Sequence, residues 1–273
     1  MPPLIAVACV VFLEGLAFGM IIPVLPTYCE QLGGGAMWTG VMFALLTAPK
    51  VIMNPLWGGL SDRLGRRGVL AVATIGTMSG SVLWAMAPTF GQVALAGLGW
   101  LVISRLLTGL FASQAGLAYA VASDVSTPEK RAASLGVLGA AFGLAFTLGP
   151  LIGGLFAGAF GNAAVGWLSA GGQGLSLLII IAVLRETRPQ QQPRHVTWGA
   201  AAGLDLLRGR PIVGLLVGYL CMTAALGVIF PVFQPMTEAW YGFSVGQTGI
   251  AMAVFGLIGV IVQGGLIRPV VRA

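Results

Sequence analysis

Charge is scarce in this chain, and its scarcity excludes more than any motif does. Only 8% of the 273 residues are Asp, Glu, Lys or Arg, whereas a soluble domain carries roughly a quarter, so a soluble globular protein is excluded. Histidine is nearly absent as well, with His195 the single one. Cys9, Cys29 and Cys221 stand at no metal-ligand spacing, which leaves no His/Cys cluster for a metal and no disulfide framework. No nucleophile and base form a catalytic set, so no catalytic residue is assigned and an enzymatic role ranks last. The net charge of +6 does not point to nucleic acid, because the basic residues sit in short loops between apolar runs and form no stripe or tail. The N-terminus has no basic leader region and no small-residue cleavage site before the first apolar run, which is therefore read as a retained helix.

What is abundant is apolar surface: 57% of residues are hydrophobic and mean hydropathy is +0.94. About 20 apolar residues cross a bilayer as helix, and eight segments qualify, near 4–27, 38–60, 68–87, 97–122, 132–158, 164–184, 211–234 and 246–267. The expected class is an all-α, multi-pass integral membrane protein. With the N-terminus cytoplasmic, every Lys and Arg falls on the cytoplasmic side except Lys50 and Arg105, which lie inside helices, while the opposite loops carry only Glu30 and Glu238. The polar stretch 185–210 reads as a linker between a six-helix bundle, 1–184, and a partial second bundle, 211–273. Gly19-Met-Ile-Ile-Pro23 is echoed by Gly227-Val-Ile-Phe-Pro231, and Gly58-Gly59-Leu60 by Gly264-Gly265-Leu266. The second bundle thus restarts the first and is expected to lack its last four helices.

Several residues stand out against this apolar background. Gly58 to Arg67 places four charges between two apolar segments; Gly59 and Gly65 permit close helix ends and a tight turn, and Asp62 can pair with Arg63 or Arg66. Glu14 is the only acidic residue inside an apolar helix. An ionised carboxylate there costs several kcal/mol, so it can exchange protons. At 1.5 Å per residue Glu14 lies roughly 15 Å from the cytoplasmic end, and the same arithmetic puts Lys50 at about that depth, so the two can pair. The alternative is a purely structural ion pair. Arg105 must face a cavity or a partner, or bond backbone carbonyls. Asn54, Gln114 and Gln263 are candidate cavity-lining groups that interhelical hydrogen bonds explain as well. Trp57, Trp84, Trp100, Trp167 and Trp240 are read mostly as an interfacial belt.

The chain resembles the major facilitator superfamily, and within it the drug:proton antiporters of the tetracycline-efflux and multidrug branch. Four motifs carry the resemblance: Leu13-Glu14-Gly15 through Ile22-Pro23-Val24-Leu25-Pro26, the loop with Gly58, Asp62, Arg63, Gly65, Arg66 and Arg67, Arg105-Leu-Leu-Thr-Gly109, and Gly149-Pro150-Leu-Ile-Gly153-Gly154. The last, with Gly136, is similar to the antiporter signature, though Ala145 stands where glycine is usual. The resemblance implies two bundles rocking around a midplane site, a gating loop whose arginines pair with Asp124, and proton coupling through Arg105 and Glu14. It implies export of drugs or small amphipathic compounds from the bacterial inner membrane, driven by the proton gradient without other cofactor, by a protein that is monomeric when full length. Tetracycline exporters also carry an aspartate near Gly80, which this chain lacks, so the compound stays open. Metabolite uptake or facilitated diffusion is the alternative transport reading, and a non-transporting truncated fragment the alternative of another class.

Overall fold

The computed structural model describes residues 2–90, 96–187 and 210–261, and these are helical apart from short connections. The helices are α1 (Pro2–Ile21), α2 (Leu25–Gln31), α3 (Ala36–Leu64), α4 (Arg66–Phe90), α5 (Ala96–Phe111), α6 (Gln114–Asp124), α7 (Pro128–Phe160), α8 (Ala164–Ala182), α9 (Arg210–Tyr241) and α10 (Val245–Ile261). Among the described residues six spans are long and apolar enough to cross a membrane. Gly227–Tyr241 and Val245–Ile258 pass only as a pair bent by 118°, which makes seven at most against the eight expected. The end of the eighth expected segment lies outside the described residues, as do residues 188–209 of the expected linker.

Three boundaries differ from the hydropathy reading, each for a local reason. The first apolar segment is broken: α1 stops at Ile21 and α2 starts at Leu25, with Pro26 in its first turn, where a missing N–H costs nothing. The echo at Gly227–Pro231 behaves otherwise, since Pro231 and Pro235 stay inside α9. The second segment runs on to Leu64, so Asp62 and Arg63 belong to a helix end and the turn is the single residue Gly65, at φ +104°. Only glycine adopts that angle without strain. The fourth segment is interrupted at Ala112–Ser113, between α5 and α6. A carbonyl freed near the break, that of Leu110, accepts a hydrogen bond from the Trp57 indole at 2.8 Å.

Two apolar clusters form the core, one at each end of the bundle. One holds Met20, Tyr28, Met42, Trp84, Leu101 and Val165. The other holds Val10, Leu70, Leu117, Val121, Leu138 and Ile180. Trp57 and Trp84, 8% and 0% exposed, are therefore core residues and not part of an interfacial belt, whereas Trp167 and Trp240 are exposed. Burial is what their indole N–H groups need: each has a carbonyl partner, Leu110 for Trp57 and Asn162 for Trp84.

α7 packs on both sides through small residues. A Cβ on Gly149 would stand 2.8 Å from the Gly19 Cα, and one on Gly153 would collide with the Met20 carbonyl, so α1 lies directly against this face. Gly154 meets Val245 and Gly249 of α10 in the same way. Close backbone approach of this kind is how small residues hold membrane helices together. Pro150 lies within α7, whose helix runs unbroken from Pro128 to Phe160.

Candidate functional site

The site has two levels. The inner level is the intramembrane pair: Lys50 Nζ of α3 lies 3.8 Å from Glu14 Oε1 of α1, with the two side chains 38% and 16% exposed. Both sit on apolar helices with no other described ion pair at that depth. Glu14 Oε2 has no hydrogen-bond partner, and the Ala115 backbone N–H at the start of α6 approaches the same carboxyl group. The break before α6 thus turns the Ala115 N–H, one of those free in a first helical turn, toward an acidic side chain, an arrangement in which the helix dipole favours negative charge. Asn54, one turn on from Lys50, accepts a hydrogen bond from the Ser113 hydroxyl at 2.9 Å. Beside this level an apolar groove of about 490 Å³ runs between α3 and α5, lined by Val41, Leu45, Pro49, Ile52, Met53 and Leu110 among others.

The outer level is a cluster at the ends of α3, α4, α6 and α8, and Arg66 is its hub. Arg66 Nη2 lies 2.7 Å from Asp62 Oδ1, Nε 3.0 Å from Asp124 Oδ2, and Nη1 donates to the Ser61 hydroxyl at 2.6 Å. Arg67 donates to the Ile181 carbonyl, while Arg63 is exposed. Glu186, at the end of the α8 segment, accepts from the backbone N–H groups of Arg66 and Arg67 at 2.8 and 3.3 Å. It caps the start of α4 from 120 residues away. A Cβ on Gly65 would meet only the carboxylate end of Glu186, a flexible side chain that can move aside, so it is the angle that calls for glycine there. Glu186 was not among the residues picked from sequence. Its only signal there is an acidic residue just after the sixth apolar segment, on the side where the arginines gather.

Other expected residues fall differently. Gly58 and Gly59 have open space around them and allow no close approach; the tight geometry belongs to Gly65 alone. Gly136 also faces open space, unlike Ala145, Gly149, Gly153 and Gly154, which lie at helix contacts. Gln114 lines no open cavity: it is 3% exposed and donates to the Ala73 carbonyl and the Thr77 hydroxyl. Gln263 lies outside the described residues. Arg105 is fully buried, donates to the Ser104 hydroxyl at 3.1 Å and lies 4.5 Å from the Trp84 ring centroid, a cation–π contact. Gly80 packs against Thr108, whose hydroxyl a Cβ there would meet. Among the described residues no group of His, Cys, Asp and Glu could hold a metal ion.

Comparison with known proteins adds the family. The chain is 31% identical over 266 residues to the class E tetracycline resistance protein of Escherichia coli, covering 93% of this chain and 62% of the relative. It is 30% identical over 226 residues to the multidrug resistance protein MdtG of Salmonella paratyphi A, covering 81% and 54%. The chain therefore spans less than two thirds of the length of these relatives. Among solved structures it is similar to the human organic anion transporter MFSD10 (TM-score 0.74, 24% identity, 97% and 71% covered) and to a D-xylose-proton symporter (TM-score 0.67, 18% identity, 98% and 69% covered). At those identities the likeness concerns the fold. The model of the Major Facilitator Superfamily matches residues 7–272. A multi-pass membrane protein built of these spans, the chain belongs to the major facilitator superfamily of transporters.

Proposed function

We propose that the protein containing this chain is a proton-coupled exporter of small amphipathic compounds, working by alternating access in the bacterial inner membrane with its N-terminus in the cytoplasm. The observation that carries this reading is the Glu14–Lys50 pair, set on two apolar helices with no other described ion pair at that depth. A proton arriving at Glu14 cancels the charge that holds Lys50, so proton and substrate act on one group of residues and occupancy by one changes affinity for the other. Antiport requires that reciprocity.

Three further features support it. The apolar groove beside Pro49 and Leu110 can take the hydrophobic part of an amphipathic compound. The Arg66 hub joins the ends of three helices through groups that exchange water for protein partners at little net cost, which suits a latch that opens and closes. The relatives are named for tetracycline and multidrug resistance. The test is proton movement: everted membrane vesicles with an established pH gradient should lose part of it when a tetracycline or another amphipathic compound is added. A gradient indifferent to every compound that the protein accumulates would refute proton coupling.

A further inference from the structure

The end of the bundle opposite Arg66 holds an open cavity of about 580 Å³ that neither level of the site uses. Its walls come from both sides of the 185–210 stretch. Thr27 and Gln31 of α2, Gly158 of α7 and Asn162 of the α7–α8 turn form one wall, and Ser244 and Gly246 at the start of α10 form the other.

Asn162 is the fixed point of the first wall. It is 6% exposed, its backbone carbonyl accepts the Trp84 indole N–H at 3.0 Å, and its Nδ2 donates to Thr27 Oγ1 at 3.2 Å and to Gln31 Oε1 at 3.0 Å. Bonds to α2 and α4 thus hold this residue in place. With Nδ2 committed, Asn162 keeps Oδ1 as an acceptor that no described residue bonds, on a side chain that lines the cavity. Gln31 has its amide oxygen taken, which leaves Nε2 to donate. Ser244 Oγ accepts the Gln247 N–H at 3.3 Å and keeps its O–H. An acceptor and two donors therefore face a space whose other walls, Leu155, Ala157 and Val245 among them, are apolar. Such a mixture, set in place before any ligand arrives, is how small-molecule sites are built. Among the described lining residues none is Asp, Glu, Lys or Arg. A charged compound would give up its hydration there without a counter-charge, so the chemistry selects a neutral one.

We propose that this cavity binds a neutral compound carrying hydroxyl or amide groups, and that its occupant clamps the two walls together. Next to the cavity the two sides already touch: Gly154 packs on Val245, and a Cβ on Gly249 would collide with the Pro150 carbonyl. A compound bonded to Asn162 and Gln31 on one wall and to Ser244 on the other fits only while those residues face one another. Binding therefore favours this arrangement and opposes any motion that parts it. Resting on the alternating-access reading for its effect on transport, the site is inhibitory. In the proposed orientation it opens away from the cytoplasm, apart from the apolar groove between α3 and α5.

The experiment uses the full-length protein in spheroplasts, with the exposed cysteines removed as Cys9→Ser and Cys221→Ser and with Gly158→Cys introduced. Gly158 lines the cavity and a Cβ there meets nothing within 4 Å, so the thiol enters without a clash. Ala159→Cys, on the same wall, serves if Gly158→Cys fails to insert. Saturating phenyl β-glucoside, neutral and hydroxylated, should slow labelling by an impermeant maleimide about fivefold or more, because only the empty site reacts. Phenyl phosphate, charged, should give no protection. Gln31→Leu and Ser244→Ala should each weaken the glucoside about three- to tenfold, the worth of one hydrogen bond. Absence of protection by the glucoside, equal protection by the phosphate, or indifference to both substitutions overturns the site. The glucoside should also slow efflux of an amphipathic compound, and protection with efflux unchanged overturns the clamp. If the protein exports nothing even without the glucoside, the proposed function fails, while labelling still decides whether the cavity binds.

Discussion

Arg66 Nε lies 3.0 Å from Asp124 Oδ2 while Nη2 of the same guanidinium lies 2.7 Å from Asp62 Oδ1, and the two carboxylates differ in enclosure, 18% against 46% exposed. The enclosed partner should matter more for stability. Asp124→Asn is expected to cost about 1–2 kcal/mol, in the range of hydrogen bonds to charged groups, and Asp62→Asn less than about 1 kcal/mol. Arg66→Lys should lose most of the hub, since one ammonium cannot reproduce three directions of the fork. Thermal unfolding in detergent reads all three, and equal losses for the two aspartates would contradict the ordering.

At the α1–α7 contact, glycine is a matter of space. Gly153→Ala should destabilise by about 1–3 kcal/mol through overpacking against the Met20 carbonyl. Gly136→Ala should change stability by no more than about 0.5 kcal/mol, because its surroundings are open. Similar unfolding temperatures for the two variants would show that the helices are not in this contact.

The interruption between α5 and α6 depends on Trp57 as a donor. Trp57→Phe keeps the ring and its packing on Phe111 but leaves the Leu110 carbonyl without its partner, at a cost of about 1–3 kcal/mol. Trp240→Phe, exposed, should be neutral within about 0.5 kcal/mol. Purified variants compared by chemical denaturation would separate the two.

Removing the cap that Glu186 places on α4 should cost a few tenths to about 1 kcal/mol in Glu186→Ala. Protease cleavage near the α3–α4 turn should speed up correspondingly in that variant. An unchanged cleavage rate would mean that the carboxylate does not hold the helix start.

Much of the helical order was legible because hydropathy runs and proline positions are local signals, and depth arithmetic alone set Glu14 and Lys50 at one level, where they lie 3.8 Å apart. The break at Ala112–Ser113 was not legible: the segment is apolar throughout, and its new helix start is held by Asn54, Trp57 and Gln114 partners far away in sequence. Glu186 escaped notice for the same reason, since a cap supplied across 120 residues leaves no spacing to read. Trp57 and Trp84 were misread because a tryptophan near a helix end fits an interfacial belt and a buried indole with a carbonyl partner equally well. Close approach was expected at Gly59 as well as Gly65, and only Gly65 forms the tight turn, while Gly59 and Gly136 meet no neighbour within 4 Å among the described residues. A motif gives the residue type but not which glycines another backbone approaches.

The most direct test of the central claim is proton movement in vesicles carrying Glu14→Gln alongside wild-type protein. The amide keeps the size and hydrogen bonding of the side chain while removing the group that takes up a proton. Substrate-dependent proton flux should fall to the level of vesicles without the protein, while the variant still binds substrate. Flux unchanged from wild type would contradict the account and remove Glu14 from the coupling mechanism.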